Sequence, residues 1–209
     1  GFGGNHTAYH VEFACFCPFG NIITILGPDF PVIGLTKGQF SPTSLVGQKT
    51  KSSPYGNTQP PFSPGELAIG AQARFFARIP GNLPKEMSAL FIEAEKFKGT
   101  ALIEVLQNCV IFNDKIHAEY TSRETRDEMQ IFLEHGKPML FGKNNEKGIV
   151  LKGTRLEVVK LGENGIKESD ILVHDKYQWE SGIHVLLATM SPPEYPLAVG
   201  VIRSISDFT

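Results

Sequence analysis

Two apolar runs of strand length, IITIL (22–26) and ALIEVL (101–106), frame a stretch that reads as loop, helix and helix. The first run lies between Gly20–Asn21 and Gly27–Pro28, the mark of a buried strand. Strand, loop, helix, helix, strand predicts an α/β sheet whose strands are mostly parallel. The helices carry their own start and stop signals. Ser63-Pro64-Gly65-Glu66 sets a cap, a first-turn proline and a third-position acid before LAIGAQARFFAR, so a helix is expected there. Met87, Leu90, Phe91, Ala94 and Phe97 recur at helical spacing over 84–98, and Gly99 follows as a stop. That stripe reads as core packing.

Later segments change character. Thr121-Ser122-Arg123-Glu124 again resembles a capping box and predicts a helix ending near Gly136. Beyond it, PMLFG, GIVL, RLEVVKL, DILVHD and HVLLATM read as short strands separated by turn dipeptides such as Asn144–Asn145 and Asn164–Gly165. LAVGVIRSI predicts one more strand. The expected division is therefore an α/β domain over 1–136 and a β-rich appendage over 137–209.

Composition narrows the function classes. The chain has 209 residues, 41% of them hydrophobic, enough for one sizeable domain. A net charge of −2 implies no field for nucleic acid or an anionic membrane surface. No apolar run approaches the roughly 20 residues of a spanning helix, and no basic segment followed by an apolar one reads as a signal peptide. Three cysteines are too few and too odd for a secreted disulfide framework, so a cytoplasmic setting is the expectation. The chain opens on GFGGNHTAYH, without methionine and inside a glycine-rich turn. The expectation from that opening is a fragment truncated at the amino terminus.

The stretch from Gly34 to Pro64 is rich in Gly, Pro, Ser and Thr, which suits either a functional loop or a solvated linker. Thr36-Lys37-Gly38-Gln39 begins just after the apolar run 22–26, and ligands of α/β sheets bind beyond the carboxyl ends of strands. Backbone N–H groups near Gly34 and Gly38 can hold phosphate oxygens, with Lys37 as a point charge. The Walker A pattern is absent. VLQNCVIFND (105–114) places Cys109 at the end of an apolar run, either as a buried thiol or as a metal or cluster ligand. Cys15 and Cys17 lie two apart and read as ordinary thiols or as a soft-metal pair.

Taken together, GGNH (3–6), GLTKGQFSPTS (34–44), KTKSSPYG (49–56), EVLQNCVIFN (104–113) and KLGENG…DILVHD (160–175) resemble the β subunit of 2-oxoacid:ferredoxin oxidoreductases, and within that family the 2-oxoglutarate type. The resemblance runs from about Gly34 to Ile205. It implies a thiamine diphosphate-binding fold, a mostly parallel sheet with helices on both faces. It also implies thiamine diphosphate, Mg²⁺ and a [4Fe–4S] cluster as cofactors. The implied partners are an α subunit, ferredoxin, 2-oxoglutarate and coenzyme A.

Carried onto this sequence, the resemblance assigns Lys37 and Gln39 to the reaction, Lys37 either pairing with the distal carboxylate of 2-oxoglutarate or balancing phosphate charge. Gly34, Leu35, Thr36 and Gly38 would line the diphosphate end, with Ser41, Thr43 and Ser44 as hydroxyl contacts or ordinary loop hydrogen bonds. Gly4, Asn5 and His6 would open the helix facing the cofactor, His6 as a structural donor or a base. Cys109 would supply one cluster ligand.

The family's GDG segment and its amino-terminal CxxC pair do not occur in this sequence. The isolated fragment is therefore expected to be inactive and to hold no cluster. The family's Asn-Asn pair aligns on Asp29 and Phe30; Phe30 has no oxygen for magnesium, and Asp29 replaces it only after a one-residue shift. Two further readings stay open: a degenerate homologue acting as an assembly or interaction module, and the same enzyme class acting on pyruvate or a branched-chain 2-oxoacid.

Overall fold

The structure, a computed structural model, describes residues 43–49, 53–106 and 117–206, together with the backbone of 22–26, 32–33 and 39–40. In chain order the first strands are β1 (Ile22–Leu26), β2 (Val32–Ile33) and β3 (Gln39–Phe40). Helix α1 (Pro64–Gly70), β4 (Phe75–Pro80), α2 (Pro84–Lys96) and β5 (Thr100–Leu106) follow. Next come the single turns α3 (Ala118–Thr121) and α4 (Arg126–Met129), then β6 (Gln130–Leu133). Strands β7 (Leu140–Phe141), β8 (Lys147–Lys152) and β9 (Arg155–Lys160), helix α5 (Gly182–Thr189) and β10 (Leu197–Ser204) complete the order.

The main sheet runs β1-β5-β4-β10-β6. Its pairs β1–β5, β5–β4 and β10–β6 are parallel, and only β4–β10 is antiparallel. The architecture is thus α/β with a mostly parallel sheet, as the sequence predicts. Alternation along the strands divides the side chains between two faces. Phe75, Ala77, Ile79, Ile103 and Val199 pack against Leu90, Ala94 and Phe97 beside α2. Phe76, Ile131, Ala198 and Ile202 pack against Ile69 of α1 and Leu187 of α5. Helices therefore cover both faces, which is why these strands are hydrophobic almost throughout.

The cap expected before α1 is present: Ser63 Oγ accepts a hydrogen bond from the Glu66 amide at 3.3 Å. The helix stops sooner than LAIGAQARFFAR predicts. Gln72 takes φ +68 and the chain turns into β4, all six residues of which are buried. A central strand covered on both sides has no polar alternation to betray it, so FFAR reads like a helix continuing. Gly65 sits where α1 crosses β4, and a Cβ built there lies 2.6 Å from Phe76 Cζ and 3.2 Å from Ala188 Cβ. Alanine at Gly65 gains up to about 1 kcal/mol of helix propensity, but a buried ring cannot recede. Overpacking of this kind costs about 1–3 kcal/mol, so Gly65→Ala is expected to lower the midpoint of thermal or urea unfolding.

Three further expectations are corrected. The helix predicted over 121–136 is two isolated turns followed by β6, which pairs in parallel with Leu197–Gly200. Open sheet edge outweighs the capping signal there: Gln130, Ile131 and Leu133 are buried. HVLLATM is not a strand but most of α5, whose buried residues His184, Leu187 and Ala188 follow helical spacing. DILVHD (170–175) follows from a short 3₁₀ turn at Glu168–Asp170 and forms one isolated bridge, Pro138 to Val173, with backbone hydrogen bonds to Gly136, Lys137, Met139 and Ile149 in place of a regular strand ladder.

Strand character over 140–160 is as predicted. β7, β8 and β9 form a separate antiparallel sheet, with Asn145 at φ +53 in the β7–β8 turn. Its Phe141, Ile149 and Leu156 join the same apolar cluster as Ile69 and Leu187. The remainder of 137–209 contributes α5 and β10, and β10 lies inside the main sheet between β4 and β6.

Candidate functional site

Parallel strands that end together leave a crevice at their carboxyl ends. Here β4 and β5 end beside the start of β10, and a cleft of about 460 Å³ opens above them. The strands supply Arg78, Glu104, Leu106 and Leu197; the start of α1 supplies Ser63, Pro64 and Glu66; the end of α5 supplies Ala188 and Thr189. Thr43, Leu45, His117 and Tyr120 close the sides. This volume falls within the range of small-ligand sites.

One buried ion pair forms the floor. Arg78 and Glu104 face each other in the β4–β5 register, with Arg78 Nε donating to Glu104 Oε2 at 2.5 Å. Their side chains are only 6% and 2% exposed, so each ion is out of water and held by its partner. Arg78 Nη2 also donates to the Ala188 carbonyl at 2.9 Å, tying β4 to the end of α5. At the side, His117 Nδ1 is hydrogen bonded to the Tyr120 hydroxyl. The Thr121 hydroxyl returns to the His117 carbonyl at 2.6 Å, which fixes this turn against the cleft. Two carboxylates, Glu66 and Glu119, stand at the exposed rim.

A second polar centre lies under α5. Arg203 Nη1 donates to His184 Nδ1 at 2.8 Å, and His184 Nε2 donates to the Asp175 carbonyl at 2.9 Å. Arg203 also donates to the Gln178 and Trp179 carbonyls, so this buried arginine anchors the loop 175–179. His174 Nε2 donates to the Val201 carbonyl at 2.9 Å. Burial lowers the pKa of both imidazoles, and that of His174 falls to about 4. Both are neutral structural donors at pH 7. The network closes loop backbone groups rather than facing a ligand.

Most residues singled out from the sequence lie outside the described ones: Gly4, Asn5, His6, Asp29, Gly34, Leu35, Thr36, Lys37, Gly38 and Cys109. Gln39 lies on β3, where its backbone pairs with Ile33. Thr43, near the end of the GLTKGQFSPTS motif, lines the cleft, whereas Ser44 is buried and its carbonyl accepts from Asn57 Nδ2 at 2.8 Å. Leu106, three positions before Cys109 in the chain, lines the cleft too. Among the described residues, no three His, Cys, Asp or Glu side chains gather to hold a metal ion. Sequence reasoning missed Arg78, Glu104, His117 and Tyr120. A signal for the first two existed: each is a lone charge, of opposite sign, inside an apolar strand.

No protein-family model matches the chain. Among curated proteins, the 2-oxoglutarate oxidoreductase subunit KorB of Mycobacterium tuberculosis is 37% identical over 206 residues, 98% of this chain and 52% of that protein. The 2-oxoglutarate synthase subunit KorB of Archaeoglobus fulgidus is 36% identical over 51% of this chain and 38% of its own length. The β subunit of 2-oxoacid:ferredoxin oxidoreductase 1 of Aeropyrum pernix is 41% identical over 47% of this chain and 31% of its own. This chain therefore spans about half the length of the first relative and less of the others.

Among solved structures, 2-oxoglutarate:ferredoxin oxidoreductase from Magnetococcus marinus, with 2-oxoglutarate, coenzyme A and succinyl-CoA bound, superposes with a TM-score of 0.58. The match covers 90% of this chain and 48% of that one, and at 20% identity it speaks for the fold alone. This chain is therefore a homologue of 2-oxoglutarate oxidoreductase subunit KorB along almost its whole length, and of 2-oxoacid:ferredoxin oxidoreductase β subunits over about half of it.

Proposed function

We propose that the chain is part of the β subunit of a 2-oxoglutarate:ferredoxin oxidoreductase and carries its thiamine diphosphate-binding fold. The observation that carries this reading is the similarity to the Mycobacterium tuberculosis KorB subunit across 98% of the chain. In the reaction proposed, a 2-oxoacid is oxidatively decarboxylated to its acyl-CoA, and electrons pass to ferredoxin. Thiamine diphosphate, Mg²⁺ and a [4Fe–4S] cluster supply the decarboxylation and electron-transfer chemistry; the protein's part is binding, orientation and charge. The partners are an α subunit, ferredoxin, 2-oxoglutarate and coenzyme A.

The donor set of the described cleft does not suit a diphosphate. Its guanidinium is already matched by Glu104, and Glu66 and Glu119 add negative charge at the rim. The diphosphate is therefore assigned to Gly4, Asn5, His6, Gly34, Leu35, Thr36 and Gly38, outside the described residues, and no step is routed through the cleft. In this reading Lys37 pairs with the distal carboxylate of the substrate and Gln39 orients the reacting end. Cys109 provides a cluster thiolate, and Asp29 an oxygen to Mg²⁺.

The test is anaerobic co-expression of the full-length subunit with its α partner. Bound thiamine diphosphate and CoA-dependent viologen reduction with 2-oxoglutarate are the expected results; absence of both overturns the reading. Asp29–Phe30, where the family has two asparagines, favours a non-catalytic assembly module as the second reading. Substrate choice is tested separately. Lys37→Ala is expected to lower kcat/KM for 2-oxoglutarate at least about tenfold more than for pyruvate, the scale of one charge-assisted contact. Equal losses would refute the carboxylate pairing and admit the pyruvate or branched-chain alternatives.

A further inference from the structure

Arg203 is a buried cation whose partners are all neutral. It is 7% exposed at the carboxyl end of β10, where a register shift against β4 between Val201 and Arg203 re-aims the side chain to meet α5. Its Nη groups are taken by His184 and by the Gln178 and Trp179 carbonyls; its Nε stands outside that network, buried and with no acceptor. Among the described residues no carboxylate pairs with it. Burial, and after it the charge of Arg74, hold its pKa below that of an ordinary guanidinium. A buried ion with no counter-ion is costly, and an anion brought beside it offsets that cost.

The amino terminus of α5 brings unspent donors to the same place. Gly182, Ile183 and His184 open the helix, and none of their amides donates to another described residue. Ser181, at the cap, makes no side-chain hydrogen bond to them either. A cavity of about 460 Å³ lies against this helix start, with Ser181, Gly182, Arg203, Arg74, Trp179 and Glu180 in its lining. A Cβ at Gly182 would meet nothing within 4 Å, so the first turn is open on that side. The Arg74 guanidinium lies 5.2 Å from the centroid of the Trp179 ring. Glu180 is the one carboxylate among the described lining residues, and it is exposed, so water screens it. The cavity sits at the amino end of β4, and α5 runs from it to Ala188 and Thr189 in the cleft at the other end of that strand.

From this geometry we infer that the cavity is an oxyanion site, for phosphate or the phosphoryl group of a small ester, held by the first-turn amides of α5 and by Arg74, with the Arg203 charge at its floor. A helix start presents N–H groups and the positive end of a dipole, which match a tetrahedral anion. The two guanidiniums repel each other, and an anion beside both offsets that repulsion. The carboxylate of a small acid brings less charge and fewer acceptor oxygens, so it binds more weakly. None of these residues takes part in the reaction proposed above.

The test is calorimetry on the full-length subunit at constant ionic strength, with inorganic phosphate, glycerol 3-phosphate and acetate as probes. Phosphate or its ester is expected to bind saturably and about tenfold or more tighter than acetate. Tighter binding of the ester points to an organic phosphate as the natural occupant, and tighter binding of phosphate to the free anion. The variants separate this site from any other phosphate seat in the subunit. Arg74→Gln removes a donor, and Ser181→Asp sets a carboxylate against the same amides; each should weaken phosphate binding about tenfold or more, the scale of one charge-assisted hydrogen bond. Ser181→Asp also complements the helix dipole, so its unfolding midpoint should hold or rise, whereas a merely structural disturbance would lower it. Glu180→Gln, at an exposed position, should tighten binding about twofold to fivefold. No saturable binding, acetate held as tightly as phosphate, or unchanged affinity in both Arg74→Gln and Ser181→Asp would overturn the inference. Should Arg74→Gln fail to fold, the opposite shifts of Ser181→Asp and Glu180→Gln decide, and their absence rejects the site.

Discussion

Glu104→Ala is expected to lower the free energy of unfolding by about 3–5 kcal/mol, the range for removing one member of a buried ion pair. The pair bridges adjacent central strands, with both side chains nearly excluded from water and the nitrogen 2.5 Å from the oxygen. Removing the carboxylate leaves the Arg78 guanidinium in the interior with the Ala188 carbonyl as its hydrogen-bond partner among the described residues and the Phe76 ring centroid 6.0 Å away. Replacing both residues, as in Arg78→Met/Glu104→Leu, should recover most of the loss, because no ion is then left in an apolar setting. Equilibrium unfolding in urea, with a double-mutant cycle, measures both quantities. A single-variant loss below about 1 kcal/mol would mean that the pair behaves as a surface contact.

Acid should destabilise the fold through His174. Its side chain is buried beneath β10 and its pKa falls from 6.5 to about 4, chiefly by desolvation, with the neighbouring His184 acting in the same direction. Above pH 6.5 both the folded and the unfolded chain carry a neutral imidazole, and this group adds no pH dependence. Between pH 6.5 and 4 the unfolded chain takes up a proton that the folded chain refuses, so stability falls as pH falls. Below pH 4 both states are protonated and the loss is complete. A shift of this size corresponds to about 3 kcal/mol at the acid end. His184, whose pKa is also lowered, adds to the loss with the same sign. Unfolding free energies measured from pH 7.5 to 4 should therefore slope downward, and His174→Gln, which keeps a donor for the Val201 carbonyl, should flatten the slope by about the same amount. An unchanged slope in that variant would remove His174 as its source.

How much of this was legible beforehand varies element by element. IITIL, ALIEVL and LAVGVIRSI were readable as strands because short apolar runs between turn residues have few other uses. Helix α2 was readable from its stripe, and the start of α1 from Ser63, Pro64 and Glu66. The misreadings share one cause: burial on every side erases periodicity. FFARIP (75–80) and HVLLATM (184–190) are both apolar runs of similar length, yet one is the buried strand β4 and the other forms most of α5. Nothing local separates them; what does is the partner each finds in the sheet or the helix layer. The segment QIFL was hidden behind a capping pattern and became β6 because β10 offered an open edge.

The candidate site divides along the same line. Local chemistry along the chain was enough to establish the α/β class, the principal caps and stripes, and the motif residues around Lys37 and Cys109 that carry the family resemblance. Those are properties of near neighbours, which a sequence displays directly. Folding alone could bring Arg78 opposite Glu104, set Ala188 against the guanidinium, and place the pair at a cleft walled by α1, α5 and the His117–Tyr120 turn. These contacts join residues 26 to 110 positions apart. Their meaning depends on strand register and burial, and the order of amino acids states neither until the sheet has formed.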